Sequence, residues 1–505
     1  MSSRPERKRK AVVVGAGPVG CLAALALAKL GWSVEIYEGR PDLRLPSSKA
    51  ASQQRSINLA ISHRGIAALE AVNPAAAQRF LQDAIPMRGR MIHTLSGKLD
   101  SQKYDRDGQW INSIDRALLN EGLLDEASAS NDVQIIFNHK VTAVDFDQRF
   151  ITVQDNASGL NSKVNFDFLI GADGSYSVTR RQLMRVVRMN YSQEYIKDEY
   201  IELKMPAGRD VDGLPVFLLD PNHLHIWPRH SFMLIALPNK DKTFTCTLFA
   251  PISVLDEIRT PEAVVSWFHQ YFPDALCAIG EKILVKDFLN NPRCPLICTK
   301  SSPYHYKDRA ILLGDAAHSM VPFYGQGLNC GLEDVRVLSA LFAQKGVAAT
   351  TPEDVVTSIN DVDERLASAL AYYSKNRHQD LVAICDLAMD NYVEMRHSVT
   401  TLAYLFRKTL DNILYKFSSP RPISLPSLVP LLSSTPFTTV DPRGWLPLYT
   451  MVTFRPDISY ATARRTAARQ ASILTSLQYS GILLFGAAGA SLIFSILLRG
   501  LKLSK

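Results

Sequence analysis

Between residues 11 and 38 the chain reads as a strand, a glycine turn, a helix and a second strand ending in an acid. Ala11–Val14 is a short β-branched run, followed by Gly15-Ala16-Gly17-Pro18-Val19-Gly20. A helical pattern covers Cys21–Leu30, and a second strand, Ser33–Tyr37, ends at Glu38. A glycine-spaced turn between a strand and a helix brings the backbone close to a pyrophosphate and aims the helix N-terminus at it. Gly15 permits the tight turn, Gly17 the close approach, and Gly20 the packing of helix on strand. Pro18 falls in the first helical turn, where its missing N–H costs little. Glu38 stands where a ribose hydroxyl would be held. The unit predicts a dinucleotide-binding α/β domain but does not choose between FAD and NAD(P).

Two later turns make that choice. Phe168-Leu169-Ile170-Gly171-Ala172-Asp173-Gly174 and Ala310-Ile311-Leu312-Leu313-Gly314-Asp315 are apolar strands ending in Gly/Asp turns. The second leads through His318 and Pro322 to Gly325-Gln326-Gly327-Leu328-Asn329, which opens a helix over Gly331–Ala343. Asp315 can accept a bond from a ribityl hydroxyl. The N-terminal dipole of that helix can stabilise negative charge on a reduced flavin. In this order the three turns resemble the GxGxxG, DG and GD motifs of the group A FAD-dependent aromatic hydroxylases. A single GxGxxG fits that family, which has no separate NADPH domain. The absence of a C-x-x-C pair argues against a pyridine nucleotide–disulfide reductase.

Composition sets the remaining bounds. The chain has 505 residues, 56 Lys+Arg and 49 Asp+Glu, for a net charge of +7, and 47% hydrophobic residues. That is an ordinary globular balance with room for two or three domains. No basic stripe with interleaved aromatics is present, so nucleic acid is not an expected partner. The seven cysteines are scattered, with Cys294 and Cys298 nearest one another, which fits a reducing compartment and no metal site.

Residues 191–300 carry strand composition at Tyr200–Lys204, His223–Trp227, Phe232–Leu237 and Phe244–Phe249, predicting an antiparallel sheet. From Glu353 to about Tyr415 the pattern is helical. Phe417–Pro447 holds seven prolines and is predicted as an irregular loop. No internal repeat is evident. The N-terminal basic residues run directly into a strand, so a signal peptide is not expected. From Ala471 to Leu498 there is no charged residue, with Arg464, Arg465 and Arg469 before and Arg499, Lys502 and Lys505 after. A bilayer core needs about 20 such residues in a helix. A tail anchor is therefore expected, with the bulk of the chain on the cytosolic side.

The predicted fold class is α/β. A Rossmann-like FAD-binding domain occupies residues 1–190, including substrate-contacting strands near 85–110, and resumes at 301–380. An antiparallel-sheet substrate domain covers 191–300, a C-terminal helical region 381–470, and a single transmembrane helix 471–499.

Further stretches narrow the resemblance. These are Arg55–Gly65, Ile85–His93, Phe323–Gly327, Asn391–Arg396 and Pro447–Phe454. They closely resemble the kynurenine-hydroxylating members of the family, fungal or otherwise eukaryotic, which carry a hydrophobic tail in the mitochondrial outer membrane. The resemblance implies L-kynurenine as substrate, NADPH and O2 as co-substrates, and a flavin C4a-hydroperoxide as oxygen donor, in tryptophan catabolism and NAD formation. It implies that Arg90 and Tyr104 hold the substrate carboxylate, with Asn391 and Tyr449 as further pocket residues. Phe323 and Gln326 would lie between substrate and flavin. For FAD it implies Gly15, Gly17, Val19, Gly20, Glu38, Arg40, Ala60, Arg116, Asp173, Asp315, Gly327, Leu328 and Asn329, and no metal.

The residue types suit this chemistry. A carboxylate calls for an arginine fork with a hydroxyl donor, and an aniline ring for an apolar pocket. Arg88 stands two residues before Arg90 and would share its face on a strand, so the choice between them rests on the motif. His63, His93 and His318 read as structural histidines, and Cys330 as a small buried hydrophobe. Two other readings stay open: an FAD-dependent epoxidase or reductase acting on a membrane lipid, and a flavin-binding adaptor without catalysis.

Overall fold

A computed structural model describes residues 6–48, 58–352, 361–396, 402–418, 423–438 and 440–476. A six-stranded sheet runs in the order His305–Tyr306, Ala310–Leu312, Phe168–Gly171, Lys10–Val14, Ser33–Tyr37, Val133–Ile136. All its pairings are parallel except that of the edge strand His305–Tyr306. Val12, Val13, Ile36, Leu169, Ile170 and Ile311 are fully buried in it. Such continuous apolar runs are what a parallel sheet covered by helices requires. The helices Pro18–Lys29 and Gly327–Lys345 pack on each other beside this sheet. Both start earlier than the periodicity indicates, because Pro18 and Gly327 already adopt helical backbone at the mouth of the glycine turns.

A seven-stranded sheet stands next to it, ordered Cys294–Ser302, Asn190–Met205, Phe244–Pro251, Phe232–Pro238, His223–Arg229, Gly89–His93, Leu99–Lys103. Asn190–Met205 extends ten residues before the predicted Tyr200. Its N-terminal half pairs with Cys294–Ser302, beyond the reach of the other neighbour, Phe244–Pro251. The strands from the middle of the chain pair antiparallel, as expected, and the one parallel pairing, His223–Arg229 with Gly89–His93, joins them to a strand from outside that region.

Period-2 alternation divides its faces. Phe232, Leu234 and Ala236 join a core with Phe268, Phe272 and Leu284, while Met233, Ile235 and Leu237 line a cavity on the other face. The first face is covered by four helices between Ile252 and Asn290 that the strand-based reading did not anticipate. Their apolar residues sit at helical spacing behind proline starts, at Pro261 and Pro273.

The C-terminal part is helical: Glu364–Arg396, Leu402–Ser418, Leu425–Ser434, Leu448–Phe454 and a helix over 460–476. The expected irregular loop Phe417–Pro447 therefore needs correction. Leu425–Ser434 is a helix despite Pro430 within it. Leu428 and Leu432 bury against Ala67, and that burial outweighs the lost backbone bond.

Among the described residues no helix is long and apolar enough to cross a membrane. The transmembrane segment expected over 471–499 lies outside the described residues from 477 onward.

Candidate active site

The cofactor end of the cavity is built by the glycine turns. Gly15 has φ +101°, and a Cβ there would lie 2.6 Å from the Ala172 carbonyl oxygen. A Cβ on Gly20 would lie 2.0 Å from the Gly15 carbonyl oxygen, so only glycine lets the helix approach. Gly17 differs. Its φ of −73° suits any residue, and a Cβ would meet nothing within 4 Å. The glycine there leaves room that the protein itself does not fill. Gly17, Pro18 and Val19 open onto a cavity of about 310 Å³, with Ala60, Arg116, Ala172, Gly174, Asp315, Gly327 and Leu328. The N-terminus of Gly327–Lys345 thus faces that cavity. Asp315 is exposed to it yet sits deep in the fold, and that burial raises its carboxyl above the usual range, with Arg116 opposing. Unfilled space at Gly17, a helix N-terminus and a carboxylate acceptor form a set that fits the pyrophosphate, ring and ribityl chain of FAD.

Other expected cofactor residues bond to backbone and side-chain groups around this cradle. Glu38 accepts from the Ala16 amide at 3.0 Å and from the Arg40 guanidinium at 2.9 Å. Burial opposes its charge, but Arg40 and two backbone amides outweigh that and hold the carboxyl below the usual range. Asp173 turns to the helix Val178–Val186, accepting from the Thr179 amide at 3.0 Å and the Ser177 hydroxyl at 2.5 Å. The Asn329 side chain donates to the carbonyls of Ala60 at 2.8 Å and Gly325 at 2.7 Å and accepts from the Ser62 amide at 2.8 Å. It fastens the Gly325 turn to the strand carrying Ala60.

A buried ionic network holds this cradle from behind. Asp334 accepts from the Gly314 amide at 3.2 Å and pairs with His318 at 2.5 Å and Arg377 at 3.0 Å. Glu333 pairs with Arg64 at 3.0 Å and Arg377 at 2.8 Å. Burial works against the charge of Glu333, yet Arg377, Arg64 and Arg336 bring its pKa down to about 2. His318 is thus a structural partner of the turn that presents Asp315. His93 bridges Asp274 at 2.7 Å and His225 at 2.8 Å, and His63 meets the Phe454 carbonyl. Cys330 is fully buried, which raises its thiol well above the usual value.

At the opposite end of the cavity stand Arg90, Tyr104, Tyr324 and Tyr449. Tyr104 stacks on Tyr449 at 4.9 Å and 11°, and Tyr324 on Tyr449 at 5.9 Å and 18°. The Arg90 guanidinium lies 5.2 Å from the Tyr449 ring centre and 3.6 Å from the Glu394 carboxylate. Burial, with Tyr449 beside it, holds the Tyr104 hydroxyl well above its usual pKa, so it remains a donor. The same four residues wall a second cavity of about 300 Å³ reaching towards the C-terminal helices. They form the partition between the two.

The structure separates the paired arginines. Gly89–His93 begins one residue after Arg88, which is exposed and lies over Trp110 at 4.8 Å. Only Arg90 lines the cavity. Phe323 also lines it, stacked on Tyr392 at 4.1 Å. Asn391 lines the second cavity and donates to the Phe323 carbonyl at 2.7 Å. Gln326 is buried and turned away from the cavity, accepting from the Tyr460 hydroxyl at 3.0 Å. Sequence reasoning missed Tyr324, Glu394 and the apolar wall of Leu224, Met233, Ile235, Leu237 and Phe249. The alternation at Met233, Ile235 and Leu237 was the signal that could have found that wall. No histidine, lysine or cysteine is among the described residues lining this cavity.

Comparison with known proteins agrees with this geometry. Residues 8–348 match the FAD binding domain family. A curated Cryptococcus neoformans protein named kynurenine 3-monooxygenase is 44% identical over 502 residues, covering 96% of each chain. The Yarrowia lipolytica protein of that name is 44% identical over 94% of this chain and 96% of its own. That of Saccharomyces cerevisiae is 42% identical over 92% and 94%. Among solved structures, 2-methyl-3-hydroxypyridine-5-carboxylic acid oxygenase has a TM-score of 0.58 at 21% identity, covering 79% of this chain and 95% of that one. CtdE, in complex with FAD and a substrate, has a TM-score of 0.59 at 15% identity, covering 77% and 90%. These structures share the fold. With its cradle, its arginine–tyrosine end and 42–44% identity to the fungal proteins over more than nine-tenths of its length, the chain belongs to the kynurenine 3-monooxygenase family of FAD-binding proteins.

Proposed function

We propose that this protein converts L-kynurenine, NADPH, a proton and O2 into 3-hydroxykynurenine, NADP⁺ and water. One observation carries the reading: a single cavity runs from the FAD cradle at Gly17 and Gly327 to a buried arginine among stacked tyrosines. Bound FAD supplies the redox and oxygen-activating chemistry. Arg90, with the hydroxyls of Tyr104 and Tyr449, binds the substrate carboxylate by charge-assisted hydrogen bonds. Met233, Ile235, Leu237 and Phe249 pack the aniline ring and keep water out. Asn391 holds the backbone of Phe323 in place between the two ends. The N-terminus of Gly327–Lys345 favours negative charge at the cofactor ring.

The substrate's own amino group activates the carbon ortho to it, which suits a cavity whose described lining holds no imidazole, amine or thiol. The cationic end of the cavity matches a small acid rather than a membrane lipid. NADPH oxidation recorded with and without L-kynurenine, with product identification, tests the reading. Stimulated oxidation yielding one hydroxylated product per NADPH supports it, and unchanged oxidation refutes it.

We further propose that residues 471–499 anchor the protein in the mitochondrial outer membrane with the catalytic part facing the cytosol. The charge-free run and its basic flanks support this. Alkaline extraction of mitochondria followed by protease treatment of intact organelles tests it. Release by alkali would refute the anchor, and protection from protease would refute the orientation.

A further inference from the structure

The helix Leu402–Ser418 is built inside out. Phe406, Ile413 and Phe417 are 72%, 47% and 82% exposed, and with half-buried Leu410 they follow the i, i+4, i+7, i+11 spacing of one helical face. About half a turn away, Tyr415 is 2% exposed and shares the inner face with Lys408 and Asp411. Those polar groups are held by the body of the protein. Lys408 donates to Gln102 at 2.9 Å, Trp445 donates to Asp411 at 3.0 Å, and the Tyr415 hydroxyl donates to Asp105 at 3.3 Å. A helix in water turns its apolar face inward. This one presents aromatic and branched side chains to the outside while its hydrogen-bonding groups are engaged within.

Two observations say what meets that face. Exposed Arg407 and Lys416 flank the stripe on its two sides, the charge arrangement of a helix lying on an anionic lipid surface. Leu474, two residues before the described chain ends, walls the same cavity as Lys408, Asp411 and Tyr415. The last described helical residues before the charge-free run of the sequence therefore lie beside this helix.

We propose that the helix Leu402–Ser418 lies on the bilayer that the C-terminal run enters, with Phe406, Ile413 and Phe417 at the boundary between headgroups and acyl chains. The inference rests on the anchoring proposed above. It adds a second, peripheral contact, and it orients the molecule with the cavity behind Arg90 next to the membrane surface.

The test uses the full chain in phosphatidylcholine–phosphatidylserine vesicles whose acyl chains carry bromine. Phe406→Trp and Phe417→Trp place a fluorophore on the stripe, and Val211→Trp, at a fully exposed position, is the reference. Flavin absorbance certifies each variant as folded. Fluorescence differences from the parent protein are expected to show the two stripe tryptophans quenched at least twofold by brominated lipid, with the reference unquenched. Stripe tryptophans quenched no more than the reference, in protein that still floats with the vesicles, would overturn the inference and leave the anchor standing. Blue-shifted but unquenched emission would show the stripe covered by the chain itself or by a second copy, and would also overturn it. Failure to float would overturn both readings.

Discussion

The Asn391 side-chain amide donates to the Phe323 backbone carbonyl at 2.7 Å, joining residues 68 apart in the chain. Asn391 belongs to the long helix Glu364–Arg396, and Phe323 to the short turn Pro322–Tyr324 between Asp315 and Gly327. Through this bond the C-terminal helices set the backbone that faces the middle of the cavity. Asn391→Leu leaves a buried carbonyl without its donor, a loss of about 1–3 kcal/mol. The expected outcome is a lower thermal midpoint and less hydroxylated product per NADPH consumed, with L-kynurenine KM changed less than coupling. Unchanged coupling would remove Asn391 from the positioning role.

Arg90 is the buried cation at the end of the cavity proposed to take the substrate carboxylate. A charge-assisted hydrogen bond contributes about 1.5–3 kcal/mol, or roughly 10- to 150-fold in binding. Arg90→Ala should raise the L-kynurenine KM by that factor while the protein stays yellow. Arg90→Lys should recover only part of the loss, since an ammonium cannot match the planar fork. Arg88→Ala should leave KM within about twofold. Steady-state kinetics of the three variants decide the assignment.

Gly17 and Gly20 answer different demands, and substitution separates them. Gly17→Val has compatible backbone and open space around the new side chain, so the fold should persist, with FAD affinity reduced at least tenfold. Gly20→Val drives carbon into the Gly15 carbonyl and should yield little folded protein. Circular dichroism combined with flavin titration reads both. A yellow Gly17→Val protein with parental FAD affinity would contradict the proposed cradle.

Glu333 links charge burial to acid stability. Its folded pKa, about 2, lies below the ordinary glutamate value. The unfolded chain therefore binds the proton more readily. The stabilisation is complete above the unfolded pKa and is lost as pH falls through about 2. Urea unfolding midpoints should drop across that window, and Glu333→Gln should flatten this part of the profile. At neutral pH the substitution takes the carboxylate from buried Arg64, while Arg377 keeps Asp334, at a cost of about 3–5 kcal/mol.

The three glycine turns and the strands feeding them were legible in the sequence because each is a local device. A strand, a turn and a helix N-terminus are set by residues within ten positions of each other. The choice of Arg90 over Arg88 was not legible, because it depends on where a strand begins relative to its partner His223–Arg229. Gln326 and Asn329 illustrate the same limit: a short motif names them, yet Tyr460, Ala60 and Ser62 decide where their side chains point.

What the sequence by itself determined is the nucleotide-binding α/β framework and its succession of elements. Local spacing and backbone preference suffice for that. Only the tertiary structure decided which side chains meet at the Arg90 end of the cavity, how Tyr449 stacks on Tyr104, and that Leu402–Ser418 turns its apolar face outward. Those outcomes depend on contacts between segments hundreds of residues apart, and periodicity shows that a helix has two faces without showing which one the rest of the protein covers.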